Sequence, residues 1–255
     1  MTRGRRREAA RAGTVAVLAV VLAGAAGAAQ PRPRGEHGGL FPPQDLGLLE
    51  APDRDRWQQP DQIMDALGIA DASVVADVGA GAGWFTVRLA RRVGPNGHVY
   101  AQDVQPQMLA AIARRVQREG LGNVETVRGD DDHPRLPDNA VDAVVMVGVV
   151  REVPNLEALF ANLAGALTPQ GRIGVVDFRL EGGGPGPERE ARVSPEVVQA
   201  AAEQAGLRLL RSESFLPYQY FLIFVKPVPG ERNDQAIGSS AAASSTLATS
   251  ASTKG

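Results

Sequence analysis

Short apolar runs alternate along residues 71–226 with segments whose apolar positions recur every three or four residues. Runs rich in valine, isoleucine and aromatic residues favour buried strands, and the wider spacing gives a helix one apolar face. The pattern predicts seven strands, at residues 73–78, 98–102, 124–128, 141–149, 172–178, 207–212 and 218–225. Helical spacing is clearest at residues 108–116, 156–167 and 197–205.

The order of these elements predicts an α/β fold with a doubly wound, seven-stranded sheet. Strands that alternate with helices pair in parallel through right-handed crossover connections. The last two predicted strands are separated only by a short return that contains Phe215-Leu216-Pro217. Such a short connection joins antiparallel neighbours, so the sheet is predicted to be mostly parallel with an antiparallel last strand.

The first predicted strand runs directly into a glycine-rich turn that opens a helix. Residues 74–83 read Val-Val-Ala-Asp-Val-Gly-Ala-Gly-Ala-Gly, with an acid near the end of the strand. Glycine has no Cβ atom, so a ligand can approach the backbone of this turn closely. The turn is therefore the strongest candidate for a binding site in the chain.

The spacing of the glycines separates two kinds of ligand. Folds that bind dinucleotides place the pattern G-x-G-x-x-G under a pyrophosphate, but the sixth position counted from Gly79 is Trp84. The sequence has Asp77-x-Gly79-x-Gly81-x-Gly83 instead, which resembles the first motif of class I S-adenosylmethionine-dependent methyltransferases. This departure favours methyl transfer over an NAD-linked oxidoreductase.

The resemblance covers about residues 71–226 and implies a Rossmann-like sheet with S-adenosylmethionine as the cofactor. The cofactor-binding residues that it implies are Asp77, Gly79, Gly81, Gly83, Asp103 and Asp130. Asp103 follows the glycine loop by about 20 residues, where a carboxylate accepts both ribose hydroxyls. In similar enzymes the acid at the position of Asp130 lies near the adenine amino group, and here Asp131 is the alternative. The acid at Asp77 is implied to meet the amino group of the methionine part.

The end of the fourth predicted strand bears on the methyl acceptor. Residues 147–152 read Val-Gly-Val-Val-Arg-Glu, without the (Asp/Asn)-Pro-Pro-aromatic motif of exocyclic-amine methylases. They also lack a carboxylate at the strand end for metal-dependent catechol-type transfer. Arg151 and Glu152 are interpreted as a surface ion pair, with substrate contact as the alternative, and Asp177 is either a substrate-side residue or a structural cap. Because methyl transfer depends chiefly on in-line positioning, no catalytic residue is assigned.

Both ends of the chain are predicted to lie outside the folded domain. Residues 1–28 combine a basic start, an apolar run and the A-x-A pattern Ala26-Gly27-Ala28, an order typical of a secretory signal. An uncleaved membrane anchor, or a cytoplasmic protein with a mispredicted start codon, is the alternative. Residues 29–70 are predicted to wrap the domain at residues 71–229 and cover its cleft, and the Ser/Ala/Thr-rich residues 230–255 to form a disordered tail.

Charge and cysteine content narrow the possible partners. Residues 1–28 contain five arginines and one glutamate, so without them the formal charge moves from −2 to −6. A moderately acidic domain with no evident basic stripe argues against nucleic-acid binding. The chain has no cysteine and only three histidines, which argues against a metal site.

The sequence therefore predicts a methyltransferase of the generic small-molecule type, acting on an unidentified small molecule or protein side chain. Gly94-Pro95-Asn96-Gly97 is similar to the protein isoaspartate methyltransferase type, but that enzyme's serine/threonine-rich approach to the glycine loop is missing, so this similarity is distant. Since S-adenosylmethionine is made in the cytoplasm, export motivates a second hypothesis. In it, a catalytically silent exported domain binds S-adenosylmethionine or a related nucleoside.

Overall fold

The computed structural model describes residues 40–42, 51–181 and 183–227. The predicted signal at residues 1–28 and the predicted tail at residues 230–255 lie outside these ranges. Within the described ranges, no helix has the length and apolar character needed to span a membrane.

The fold is a seven-stranded sheet with helices on both faces, as predicted. Its strands are β1 (Val74–Val78), β2 (His98–Asp103), β3 (Val124–Arg128), β4 (Val141–Val147), β5 (Leu167–Phe178), β6 (Arg208–Glu213) and β7 (Gln219–Val225). They lie in the order β3-β2-β1-β4-β5-β7-β6. Only β7 runs antiparallel, to both β5 and β6. The predicted antiparallel last strand is therefore confirmed.

Helices cover the two faces of the sheet through alternating strand residues. They are α1 (Arg54–Gln58), α2 (Pro60–Leu67), α3 (Trp84–Val93), α4 (Pro106–Glu119), α5 (Leu156–Ala166) and α6 (Pro195–Gln204). Val75 belongs to the apolar cluster that contains residues of α2 and α3, whereas Ala76 belongs to the cluster on the other face, which contains residues of α5 and α6. This alternation is what a sheet buried on both faces requires.

The boundary between α5 and β5 differs from the prediction. Helical spacing placed Leu167 in the helix, but Leu167 is already extended, with φ −65° and ψ 143°. Pro169 disfavours helical geometry at the preceding residue, Thr168, so the helix ends before it. Leu167 instead begins β5 and pairs with Val141 of β4.

Candidate cofactor-binding site

The candidate site lies at the carboxyl ends of the central strands. Strands β2 and β3 follow β1 on one side of the sheet and β4 lies on its other side, so the strand order reverses between β1 and β4. Open α/β sheets bind ligands in the crevice at such a reversal. A pocket opens there, lined by residues from the loops after β1, β2, β3 and β4.

The glycine loop after β1 forms the floor of this pocket. Gly79, Gly81 and Gly83 have φ angles of +70°, +56° and +78°, which residues with a Cβ atom rarely adopt. A Cβ atom on Gly79 would also lie 2.5 Å from the side chain of Val149. Gly79 and Gly81 line the pocket, whereas Gly83 caps α3 and faces Ile112. Glycine at these positions lets the loop adopt this left-handed geometry and lets Gly79 lie close to Val149.

Asp103 ties the end of β2 to the glycine loop. Its Oδ2 accepts a hydrogen bond from the Gly81 N–H at 2.9 Å, and its Oδ1 accepts one from the Gln105 N–H at 2.9 Å. The residue is only 6% exposed and lines the pocket, and burial raises the pKa of its carboxyl. Two amide donors thus fix the carboxylate that is predicted to accept the ribose hydroxyls.

Asp77 is a buried carboxylate under the glycine loop. Its Oδ2 accepts a hydrogen bond from the Thr86 hydroxyl at 2.6 Å. Burial raises its pKa to about 6, while the Thr86 hydrogen bond and the charge of Arg54 oppose that rise. Arg54 lines the same pocket. Asp77 therefore has a strong preference for a further positive partner.

The loop after β3 brings two acids to the pocket. Asp130 and Asp131 both line it, so the structure does not separate the two residues proposed for the adenine side. The Asp130 carboxylate also accepts from the Arg135 guanidinium at 2.7 Å, in an exposed ion pair. The Asp130 N–H donates to the carbonyl of His133, which helps to close the loop after β3.

Two pocket residues had no assigned role in the sequence. Gln102 is 3% exposed and its Oε1 accepts a hydrogen bond from the Gly79 N–H at 3.2 Å, so it supports the glycine loop from β2. Trp84 forms part of the pocket wall, with the Arg54 and Arg88 guanidinium carbons 4.1 and 3.6 Å from its ring centre. A strand-end position next to Asp103 was the available signal for Gln102.

A short segment near the N-terminus lies across the pocket. The Phe41 N–H donates to Glu152 Oε2 at 3.0 Å, and Gln105 Nε2 donates to the Phe41 carbonyl at 3.0 Å. Leu40 and Phe41 line the pocket. Both backbone groups of Phe41 are thus held by side chains from the loops after β2 and β4. That residues 29–70 as a whole wrap the domain and cover the cleft stays a prediction.

Replacing Phe41 with alanine is expected to weaken S-adenosylmethionine binding about 3- to 10-fold, because it removes apolar pocket wall but keeps both backbone hydrogen bonds. Isothermal titration of wild type and variant would measure this. The melting temperature should change little, since Phe41 is only partly buried. Equal affinities would show that the segment does not contact the ligand.

Glu152 is not part of a surface ion pair, and that interpretation of the sequence is wrong. Its Oε1 lies 3.4 Å from the Arg151 guanidinium, but its side chain is only 15% exposed and lines the pocket. Burial raises the pKa of its carboxyl, and the nearby charges of Asp103 and Asp177 act in the same direction. The side chain therefore belongs to the site.

Asp177 acts as a structural cap. Its two oxygens accept from the Val150 N–H at 3.2 Å and the Phe178 N–H at 2.7 Å. It is 3% exposed and is not one of the described pocket-lining residues. Burial raises its pKa to about 6. The carboxylate holds the 3-10 turn Val150–Glu152 against the end of β5.

Replacing Asp177 with alanine is expected to destabilise the fold by about 1–3 kcal/mol, because two buried amides lose their acceptor. Asp177→Asn keeps one amide acceptor and removes a charge that burial disfavours, so it should lose less. Thermal melts of both variants at pH 7.5 measure the difference. An alanine variant as stable as the wild type would exclude the capping role.

The donor set in the pocket fits S-adenosylmethionine. The carboxylates at the ends of β1 and β2 suit the ammonium group and the ribose hydroxyls of S-adenosylmethionine. Gly79 and Gly81 line the pocket without side chains, so the cofactor can approach the loop closely. Arg54 provides a positive group for its carboxylate. Within the part of the chain that the structure describes, no cluster of three or more acidic or histidine side chains is arranged to hold a metal ion.

Comparison with known proteins agrees with this geometry. Residues 75–171 match the family model described as a methyltransferase domain. The structure also resembles an S-adenosylmethionine-dependent methyltransferase from Aquifex aeolicus, with a TM-score of 0.69 and 29% identity. That alignment covers 72% of this chain and 98% of the other. Residues 75–171 are therefore similar to methyltransferase domains, and the chain has the fold of a class I S-adenosylmethionine-dependent methyltransferase. The predicted family, fold and methyl donor are thereby confirmed.

Curated relatives of the methyltransferase domain are similar over part of their length. The nocamycin O-methyltransferase of Saccharothrix syringae is 37% identical over 149 residues, which are 56% of this chain and 51% of that protein. The ubiquinone/menaquinone biosynthesis C-methyltransferase UbiE of Pasteurella multocida is 30% identical over 116 residues, 45% of this chain and 43% of that protein. The chain thus spans about half the length of each of these two relatives.

Proposed function

We propose that this protein transfers a methyl group from S-adenosylmethionine to a small molecule. The observation that carries the proposal is one pocket that unites the glycine loop with Asp77, Asp103 and Asp130. Relatives named for O-methyl transfer and for C-methyl transfer in quinone biosynthesis support a small-molecule acceptor over a protein side chain.

The side chains of the site would bind and orient S-adenosylmethionine and shield it from water. When bound, S-adenosylmethionine supplies an electrophilic methyl group on a sulfonium. Asp103 would hold the ribose hydroxyls, Asp77 the ammonium group, and Asp130 or Asp131 the adenine amino group. Leu40 and Phe41 would exclude water from the nucleoside.

The proposal is tested by titrating the full chain with S-adenosylmethionine and S-adenosylhomocysteine, then screening small hydroxyl, amine and quinol compounds for transfer of a labelled methyl group. Micromolar binding with transfer to a small molecule is the expected result. Binding with label transferred only to protein would overturn the small-molecule acceptor. Binding without any transfer would favour the silent domain, and absence of binding would refute the function.

We further propose that residues 1–28 direct export, because basic, apolar and small-residue segments follow in the order of a secretory signal. The division of the chain at residues 28, 70 and 229 remains a prediction. Mass spectrometry of the protein recovered from cell fractions tests export and the boundary at residue 28. A mature N-terminus near residue 29 outside the cytoplasm is expected, whereas an intact cytoplasmic chain would contradict export.

A further inference from the structure

Glu152 is a pocket carboxylate that the cofactor roles above leave without a function. Its carboxylate accepts a hydrogen bond from the Phe41 N–H at 3.0 Å and a long one, at 3.4 Å, from the Arg151 guanidinium. A carboxylate with an 85% buried side chain costs free energy that one amide and one distant guanidinium offset incompletely. A positively charged ligand group that enters the pocket would offset the rest of this free-energy cost.

The charge of the pocket points the same way. Of the described residues that line it, one, Arg54, has a positive side chain. The negative ones are Asp77, Asp103, Asp130, Asp131 and Glu152. Two of these acids are paired with arginines outside the pocket lining, Asp130 with Arg135 and Glu152 with Arg151. The acids still exceed the arginines, five to three, so the site favours a ligand with net positive charge and disfavours a second, anionic ligand.

The order of the strands places Glu152 relative to the cofactor. Along β3-β2-β1-β4 the acids follow as Asp130, Asp103, Asp77 and Glu152. If Asp130 marks the adenine and Asp103 the ribose, the sulfonium end extends towards β4, where Glu152 lies. Phe41 links the two strand ends, because its N–H donates to Glu152 and its carbonyl accepts from Gln105, two residues after Asp103.

We propose that Glu152 is the counter-charge for a cation at the reacting end of the pocket, and that the methyl acceptor is consequently a neutral or cationic compound, not an anionic one. This rests on the proposed function. It assigns Glu152 a role in charge selection that its contact with Phe41 does not require.

Three ligands that differ only at the reacting centre test the proposal. S-adenosylmethionine carries a positive sulfonium, sinefungin carries an amine there, and S-adenosylhomocysteine is neutral. In Glu152→Gln, the first two are expected to bind about 10-fold more weakly, and S-adenosylhomocysteine within about 2-fold of wild type. Calorimetric titration of the full chain measures all three, and unchanged S-adenosylhomocysteine binding shows that the variant is folded.

Asp131→Asn is the matched control, because it removes the same charge from the adenine side of the pocket. It should leave the ratio of affinities for sinefungin and S-adenosylhomocysteine unchanged. Equal weakening of all three ligands in Glu152→Gln would overturn the proposal and leave Glu152 as a support for Phe41. A wild type that binds none of the ligands would refute the cofactor assignment itself, and this proposal with it.

Discussion

Replacing Asp103 with alanine is expected to lower the affinity for S-adenosylmethionine at least about 100-fold, the largest loss at any position in the site. The change removes the carboxylate proposed to accept both ribose hydroxyls. It also leaves the Gly81 and Gln105 amides without the acceptor that now fixes them. Calorimetric titration of the full chain with S-adenosylmethionine and S-adenosylhomocysteine measures the effect.

Two control variants separate the charge of Asp103 from its support of the loop. Asp103→Asn keeps an acceptor for one amide and should lose about 10-fold in affinity. Glu125→Gln removes an exposed acid from β3, away from the pocket lining, and should bind like the wild type. The Asp103→Ala protein is expected to fold, because removing a carboxylate that burial disfavours offsets part of the lost hydrogen bonding. A variant with unchanged affinity would refute the role of Asp103.

Local sequence predicted the parts of the site that follow directly from a strand end. The glycine loop and Asp103 are of this kind, because the turn type and the acid lie within a few residues of an apolar strand. The parts of the pocket wall that Phe41 and Glu152 form could not be predicted from local sequence, because the hydrogen bond between them joins residues 111 positions apart. Reading Arg151-Glu152 as a surface pair was reasonable for two adjacent charges. The segment at Phe41 covers Glu152, and no local pattern shows that.

The fold was predictable for a related reason. Strand and helix periods are local, and the short return at Phe215-Leu216-Pro217 fixed the direction of β7. The start of β5 at Leu167 was not predictable from apolar spacing, because Leu167 continues the helical stripe of α5 and its extended geometry follows from Pro169. Asp177 was open between two roles until the turn that it caps was known.

Replacing Asp77 with asparagine is expected to raise the stability of the protein while weakening S-adenosylmethionine binding about 10-fold or more. The carboxylate is 3% exposed and burial raises its pKa to about 6, so at neutral pH the folded state holds a charge that it disfavours. Asparagine can still accept the Thr86 hydroxyl hydrogen bond but carries no charge. The expected gain at pH 7.5 is about 1–3 kcal/mol, or several degrees in melting temperature.

The pH dependence of this gain distinguishes charge from packing. In the unfolded chain Asp77 titrates near 3.8 and in the folded protein near 6, so between these values the folded state binds more protons. The cost of the buried charge is therefore full above pH 6 and disappears as the pH falls towards 4. Melts of wild type and Asp77→Asn should differ most at pH 7.5 and converge near pH 4.5. A gain that stayed constant across this range would show that packing, rather than a buried charge kept for the cofactor's ammonium group, sets the stability of the variant.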